Sequence, residues 1–439
     1  MKTMTSAVAC IALSWSAPGC AVKLSDATAM VVSGTGGTDA AARSGGGSGG
    51  VGGRPRASAN QVGAGGAGSG GRRADSSRDA GKPDEMEHDA GVDTAGSGGR
   101  GGAGGSAGGG APTGTWTNVT GSLAGLSSEC GNISSLSGKP NEDVLIVGVA
   151  TRGLYKSTDG AKTWTVMNTG GGAEPITNRP SLIVVDPDSP STFYVAGIYH
   201  EPGVFKTTDN GVTFHALGNI THNDSVSVDF TDPQRQTLLA GGHEQVQMVH
   251  RSTDGGKTWT NVGANLPADS NQSSFALVID AQTHLIGVSG WAQGKSGIFR
   301  TTNGGQTWTQ VSSEGGGYHP LVHSDGSIYW ASRDGAGMVR STDKGVTWEM
   351  VTGPGVVYGI QPVELPDGRI ASRGPQGVVA SADHGKTWTQ VAPPTPFDSS
   401  IATLVYSKFQ KAFFSSYFTC MPSEVPANAI AKYAYDTGH

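Results

Sequence analysis

Ser252-Thr253-Asp254-Gly255-Gly256-Lys257-Thr258-Trp259 is one of six near-copies of a single phrase. The others occupy 157–164 (STDGAKTW), 207–214 (TTDNGVTF), 301–308 (TTNGGQTW), 341–348 (STDKGVTW) and 381–388 (SADHGKTW). Successive copies start 50, 45, 49, 40 and 40 residues apart, which is the length of a four-stranded propeller blade. The chemistry of the phrase predicts a hairpin. Ser or Thr, and then Asp, can hydrogen-bond the backbone of a tight turn. Gly supplies a positive φ that a β-carbon would penalise. The Trp or Phe is expected to begin the next strand and to bury its ring between layers. Apolar runs precede the turns, as at Gly153-Leu154-Tyr155, Gly203-Val204-Phe205 and Gly297-Ile298-Phe299.

The phrase resembles the Asp-box (BNR) repeat, SxDxGxTW, of sialidases, xyloglucanases, sortilin-type receptors and many exported bacterial proteins. Two copies depart from it: Asn303 stands for Asp and Phe214 for Trp. The resemblance covers about Gly114 to His439. It implies that the boxes lie at blade edges and are structural, neither metal sites nor catalytic acids.

Six boxes need not mean six blades. Thr115-Trp116-Thr117-Asn118-Val119 matches the strand after a box, as in Thr258-Trp259-Thr260-Asn261-Val262, yet no box precedes it. At the other end, 401–406, 412–415 and 429–433 read as three strands, and the chain then stops where a box would fall. The N-terminal strand supplies the missing fourth. The expected fold is all-β: a single seven-bladed propeller with a composite last blade, which also pairs the terminal edge strands. Cys130 falls near the first strand of the first blade and Cys420 just after the second strand of the last. These blades meet across the closing seam, so a Cys130–Cys420 disulfide is predicted, as an oxidising compartment permits.

Composition separates the rest of the chain from this body. Of 70 glycines, 29 lie between Gly34 and Gly114. That placement builds no core, and residues 21–113 read as a disordered Gly/Ser-rich linker before a propeller at 114–439. Such a linker reaches on the order of 50 Å. Residues 1–20 read as an export signal: Lys2, a short apolar run from Ala7 to Trp15, then small residues up to Cys20. That run is too short to span a bilayer. Cys20 resembles the lipid-attachment cysteine of bacterial lipoproteins, which places the chain in the cell envelope or outside the cell. A net charge of −6 argues against nucleic-acid binding. No phosphate loop, zinc spacing or nucleophile elbow is present, so no cofactor or metal is expected. The expected state is a monomer, with membrane contact only through a lipid anchor.

In propellers generally, the loops after second strands and between blades share one face around the channel mouth. The rim residues assigned there are Arg152, Arg179, His200, His222, His243, Trp291, His319, Arg333, Arg373 and Tyr417. Nearby carboxylates are Glu129, Glu201, Asp224, Glu244, Asp334 and Asp398. Aromatic faces with Arg and His suit a sugar, and guanidinium forks match carboxylates. Three functions compete. A binding module for a glycan or an envelope protein demands only fold, rim and tether, and it stands first. A glycoside hydrolase needs two carboxylates flanking the bond. The Arg-Ile-Pro signature of sialidases is missing, and similarity to xyloglucanases extends only to Val185-Asp186-Pro187-Asp188-Ser189-Pro190-Ser191-Thr192-Phe193-Tyr194. A uronate lyase needs a neutral His or Tyr as base and an Arg for the carboxylate; His200, His222, His243 and Tyr318 are the candidates for the base.

Overall fold

The computed structural model describes residues 112–438, except 131, 271, 273, 290–294, 333–336, 398–402 and 421–422. The predicted signal and nearly all of the predicted linker therefore lie outside the described residues, as do Cys20, Trp291, Arg333, Asp334 and Asp398. Everything below concerns the single unit Gly101–His439. Among the described residues no helix is long and apolar enough to cross a membrane.

Seven four-stranded antiparallel sheets make up the fold. Six run in chain order: blade 1 (133–166), blade 2 (179–216), blade 3 (223–261), blade 4 (275–312), blade 5 (321–352) and blade 6 (363–392). Blade 7 takes Leu404–Ser407, Ala412–Ser416 and Ile430–Ala434, and its outer strand is Thr117–Asn118 from the other end of the body. Thr117 pairs with Lys432 and Asn118 with Ala431. The composite closure expected from the sequence is therefore present. The Cys130–Cys420 disulfide forms across the same seam.

The strands are apolar on both faces, and strand periodicity explains the stacking. Phe193 and Val195 of blade 2 face blade 1, where they pack on Ile146 and Leu154. Tyr194 and Ala196, one position along, face blade 3 and meet Val226, Leu238 and Ala240. The same alternation recurs at every junction. Phe299 packs with Leu239, Trp330 with Leu285, Tyr329 with Ile370, Phe413 with Val378 and Phe414 with Val147. Around the channel the inner strands of neighbouring blades are bridged by serine hydroxyls. Ser181 Oγ donates to the Asn223 carbonyl at 3.1 Å, and the amides of Ala276 and Val278 donate to Ser225 and Ser227 Oγ at 3.0 and 2.9 Å.

Each repeat is a closed hydrogen-bond knot. In the first, the Ala161 amide donates to Ser157 Oγ at 2.9 Å, Ser157 Oγ donates to Asp159 at 2.8 Å, and Thr163 donates its amide and its hydroxyl to the same carboxylate at 3.0 and 2.6 Å. Asn303 keeps the knot by turning one acceptor into a donor: its Nδ2 donates to Thr307 Oγ1 at 2.9 Å. The left-handed backbone covers two consecutive residues, for example Lys344 at φ 59° and Gly345 at φ 79°. A third departure from the pattern follows, because Ala161 stands where the others have Gly and still adopts φ 68°.

The aromatic does not begin the outer strand. It sits one residue before it, and in four blades its indole staples one blade to the previous one; Trp388 instead donates to the Gly385 carbonyl of its own turn at 2.9 Å, and Trp348 Nε1 is buried without a hydrogen-bond partner. Trp164, Trp259, Trp308 and Trp116 donate Nε1–H to the carbonyls of Val119, Leu217, Val262 and Pro393, at 3.1, 2.9, 3.0 and 2.9 Å. Phe214 has no such donor. There the backbone substitutes: Asn168 and Gly170 donate to the Gly211 and Val212 carbonyls, both at 2.8 Å, and Glu174 donates to Phe214 O at 3.0 Å.

The knots titrate. The carboxyls of Asp159, Asp254 and Asp383 are held at about 2 by the threonine hydroxyl bonds first and the backbone bonds next. Burial pushes Asp209 and Asp343 up, but the same threonine bonds outweigh it and also leave them at about 2. The folded value lies below the free 3.8, so the stabilisation is complete above that value and is lost as pH falls toward 2. Urea unfolding at pH 6 and pH 3 is expected to show this loss. Asn303→Asp would enlarge it and Asp254→Asn would shrink it. The disulfide closes a loop between residues 290 positions apart. On the chain-entropy model Cys130→Ser with Cys420→Ser costs roughly 5–6 kcal/mol, measurable as a lower denaturation midpoint with a steeper slope, because the uncrosslinked unfolded chain exposes more surface.

Candidate functional site

Register fixes which strand ends share a face. Arg179 opens the inner strand of blade 2 and pairs with Ile198, where the second strand ends. Asn223 opens blade 3 and pairs with Gly242. The residues just beyond these pairs converge: Arg179 and Tyr199 from blade 2, and His222, Asp224, His243 and Glu244 from blade 3. The Tyr199 ring centroid lies 5.2 Å from that of His222 and 5.4 Å from that of His243, and the two histidines are 5.0 Å apart. A β-carbon at Gly197 would meet the Asn178 side chain at 2.3 Å, so glycine is what allows the strand to pass beneath this cluster.

His243 is held from below. Its Nδ1 lies 2.9 and 3.0 Å from the two oxygens of Asp224. Whenever Asp224 is ionised Nδ1 carries a proton, and in the neutral ring Nε2 then presents a lone pair. That nitrogen is 3.4 Å from the Tyr199 hydroxyl and 3.6 Å from Glu244 Oε1. Burial pushes the Asp224 carboxyl up, yet the charge and hydrogen bond of His243, with a bond from Ser274, bring it down to about 2. The Tyr199 hydroxyl is raised by burial; Arg179 opposes the shift, while Glu244 and Asp224 add to it.

Arg179 is 7% exposed. Its guanidinium stands 4.7 Å from the centroid of Tyr199 and 5.1 Å from that of Phe418, and Nη1 donates to the Cys130 carbonyl at 3.3 Å. It makes no salt bridge to any described carboxylate, and burial lowers its pKa. A desolvated guanidinium without an ion-pair partner is costly. Above it the Tyr199 ring is 42% exposed. Three residues of the cluster hold left-handed backbone without being glycine: Tyr199 at φ 72°, His222 at 61° and Glu244 at 51°. Such strain costs about 1–2 kcal/mol per residue and gathers where side chains must be aimed.

The other predicted rim residues are dispersed. His200 is exposed and pairs with Glu129 at 3.1 Å. Arg152 donates to the Ser127 carbonyl at 2.7 Å. Arg373 is buried, bonds Thr395 Oγ1 at 2.8 Å and is lowered to about 10 by burial. Tyr417 stacks on Phe397 at 5.6 Å. His319 is half-buried, packs edge-on to Phe275 at 4.8 Å and is held at about 4 by desolvation, with Asp224 within electrostatic reach. Trp291 and Arg333 lie outside the described residues. Two site residues escaped the sequence reading, Tyr199 and Phe418. Counting from the last paired residue of each second strand (Val149, Ile198, Gly242) makes Ala150, Tyr199 and His243 equivalent. His200, expected at the rim from the sequence, lies one residue beyond that position.

His222, His243 and Glu244 bring ligand atoms within 4.8 Å of one another. The donors do not fit a metal. His222 Nδ1 accepts the Tyr199 amide at 3.0 Å, so its Nε2 must carry the proton and has no lone pair to give. The phrase shared with xyloglucanases lies on the opposite face. There Asp186 receives Arg235 of blade 3 twice, at 2.9 Å each, and Asp188 receives it at 2.5 Å. That is an inter-blade clamp.

No protein-family model and no curated protein matches the chain. Solved structures do. A GH74 xyloglucanase from Xanthomonas campestris is 17% identical over 72% of this chain and 55% of its own, with a TM-score of 0.48. An ancestral GH74 enzyme is 14% identical over 72% of this chain and 46% of its own, with a TM-score of 0.47. The extracellular domain of a hybrid two-component system from B. thetaiotaomicron is 11% identical over 70% of this chain and 40% of its own, with a TM-score of 0.50. The chain thus spans about half the length of these proteins. At such identities the likeness shows the propeller fold alone.

If the tautomer of His222 is as the Tyr199 amide dictates, zinc chloride should leave the melting temperature unchanged. A rise that His222→Ala abolishes would overturn that assignment.

Proposed function

We propose that this chain is an exported module, tethered to the cell envelope through Cys20 and the 21–113 linker, whose propeller holds an acidic glycan at the blade 2–3 side of its mouth. One observation carries the reading. Arg179 is buried without an ion-pair partner directly beneath an exposed tyrosine ring. Asp224 and Glu244 act on it only without a direct salt bridge, so a ligand carboxylate would add the direct ion pair, and charge-assisted bonds to a guanidinium are strong. The Tyr199 face suits the apolar face of a pyranose, while His222 and Glu244 offer hydrogen bonds to hydroxyls at the edge.

Hydrolysis fits this donor set less well. Of the six candidate carboxylates, Glu129 is engaged with His200 and Asp224 is buried under His243. Asp334 and Asp398 lie outside the described residues. Glu201 is exposed, and among the described candidates Glu244 is the one apart from Asp224 that meets the cluster, whereas a flanking pair needs two free carboxyls.

Calorimetric titration of the protein with oligomers of polygalacturonate, hyaluronan and dextran tests the reading. At least one acidic oligomer is expected to bind more tightly than dextran. Arg179→Met is expected to weaken that binding about 10–100-fold, the loss of one charge-assisted contact. Equal affinity for dextran, or binding untouched by Arg179→Met in a variant that melts normally, would sink it.

A further inference from the structure

We infer that the cluster is built to cleave a uronate-containing polysaccharide by β-elimination, with His243 as base, Tyr199 as acid and Arg179 as the carboxylate neutraliser. The inference rests on the acidic-glycan reading above and goes beyond binding.

The geometry supplies a base and an acid within reach of each other. His243 Nδ1 is fixed on Asp224 at 2.9 Å, which aims the Nε2 lone pair at the site. The Tyr199 hydroxyl is 3.4 Å from that nitrogen. Burial keeps this hydroxyl protonated at neutral pH, as an acid requires. Asp224 does not touch the substrate; it positions His243 and sets its tautomer.

The reaction balances without a co-reactant. A uronate carboxylate placed beside Arg179 has its charge compensated, which acidifies the hydrogen on the adjacent ring carbon. His243 Nε2 takes that proton. The electron pair of the C–H bond becomes the second bond to the neighbouring ring carbon. The glycosidic C–O bond on that neighbour breaks, and its electron pair leaves with oxygen. The Tyr199 hydroxyl gives its proton to the departing oxygen. The products are a leaving fragment with a new reducing end and a fragment whose terminal uronate bears a carbon–carbon double bond conjugated to its carboxylate. The site is left with imidazolium and tyrosinate, and one proton transfer across the 3.4 Å contact restores both. That direct reset explains why the two groups should touch, which a binding role alone does not require.

The left-handed backbone at Tyr199 and Glu244 fits the same purpose. It turns the tyrosine away from the strand direction and over the histidine. The neighbouring His200, on ordinary geometry, leaves the site for Glu129.

The test incubates the whole chain with polygalacturonate, alginate and hyaluronan. It follows the ultraviolet absorbance and the olefinic proton resonance of the unsaturated uronate, alongside calorimetric binding of each polymer's oligomers. The expected result is an unsaturated product from at least one polymer. Tyr199→Phe and His243→Gln should each lower its rate of formation by about 100-fold or more while oligomer binding stays within a few-fold. Asp224→Asn should displace the pH–rate profile, a readout that a merely structural residue would not move. Binding without any double bond overturns elimination and leaves the binding reading standing. No binding to any acidic oligomer overturns both. New reducing ends without a double bond mean hydrolysis and overturn elimination. An unsaturated product formed equally fast by a folded Tyr199→Phe removes the assigned acid.

Discussion

A sheet with two apolar faces cannot be left with either face in water. In blade 2 the second strand buries Phe193, Tyr194, Val195 and Ala196 completely, alternating toward blades 1 and 3. Exposing one such face forfeits about 25 cal/mol per Å² of apolar surface. No blade is stable alone, and a linear row of them would leave a raw face at each end. Closure of the ring removes both. The small pairing of Thr117–Asn118 with Ile430–Ala434 therefore matters out of proportion to its length, because it locks the last interface shut. The Ile430 amide to Thr120 Oγ1 at 2.9 Å, the Trp116 indole on Pro393 and the disulfide reinforce the same join.

The architecture was legible because the repeat is local. A turn that needs Ser, Asp, left-handed residues, Thr and Trp within eight positions writes itself into sequence, and its spacing counts the blades. Even the composite blade could be read, since Trp116 carries an outer strand's signature with no turn before it. The site was legible only in part. Arg179, His222 and His243 were picked out by their place between strands. Tyr199 was not. Which of Tyr199 and His200 enters the mouth depends on a single backbone angle, φ 72° at Tyr199, and a one-residue shift exchanges the faces of a strand. Phe418 enters through the seam, 239 positions from Arg179 along the chain. No local pattern announces that distance. His200 and Arg152 show the converse: polar residues at the right height whose partners, Glu129 and the Ser127 carbonyl, are structural.

The seam and the site share atoms. Arg179 donates to the carbonyl of Cys130, and Phe418, two residues before Cys420, covers its other face. The contact that closes the ring thus also fixes the guanidinium. A charge of this kind, with few partners and little solvent, holds its place only where packing leaves it no alternative. Locating it beside a covalent cross-link secures that placement against the fluctuations that open propeller edges.

Among the described residues, the junctions around the mouth differ in chemistry. Among the described residues on the blade 4–5 side, backbone packs closely at the junction. Gly315 and Gly316 adopt φ 77° and 76° and are buried. A β-carbon on Gly287 would meet the Gly316 carbonyl oxygen at 2.4 Å. Among the described residues that arc presents peptide groups already engaged, such as the Gly317 amide bonded to Ala331 at 3.0 Å and the Gly315 amide to Ser332 Oγ at 3.0 Å. The blade 2–3 arc instead gathers a buried guanidinium with no direct salt bridge among the described residues, an exposed ring and a histidine whose Nε2 meets the tyrosine hydroxyl. Repeats make equivalent positions available around a ring. Chemistry appears where neighbouring repeats stop being equivalent, and here that is the junction where Tyr199 of blade 2 meets His222 and His243 of blade 3.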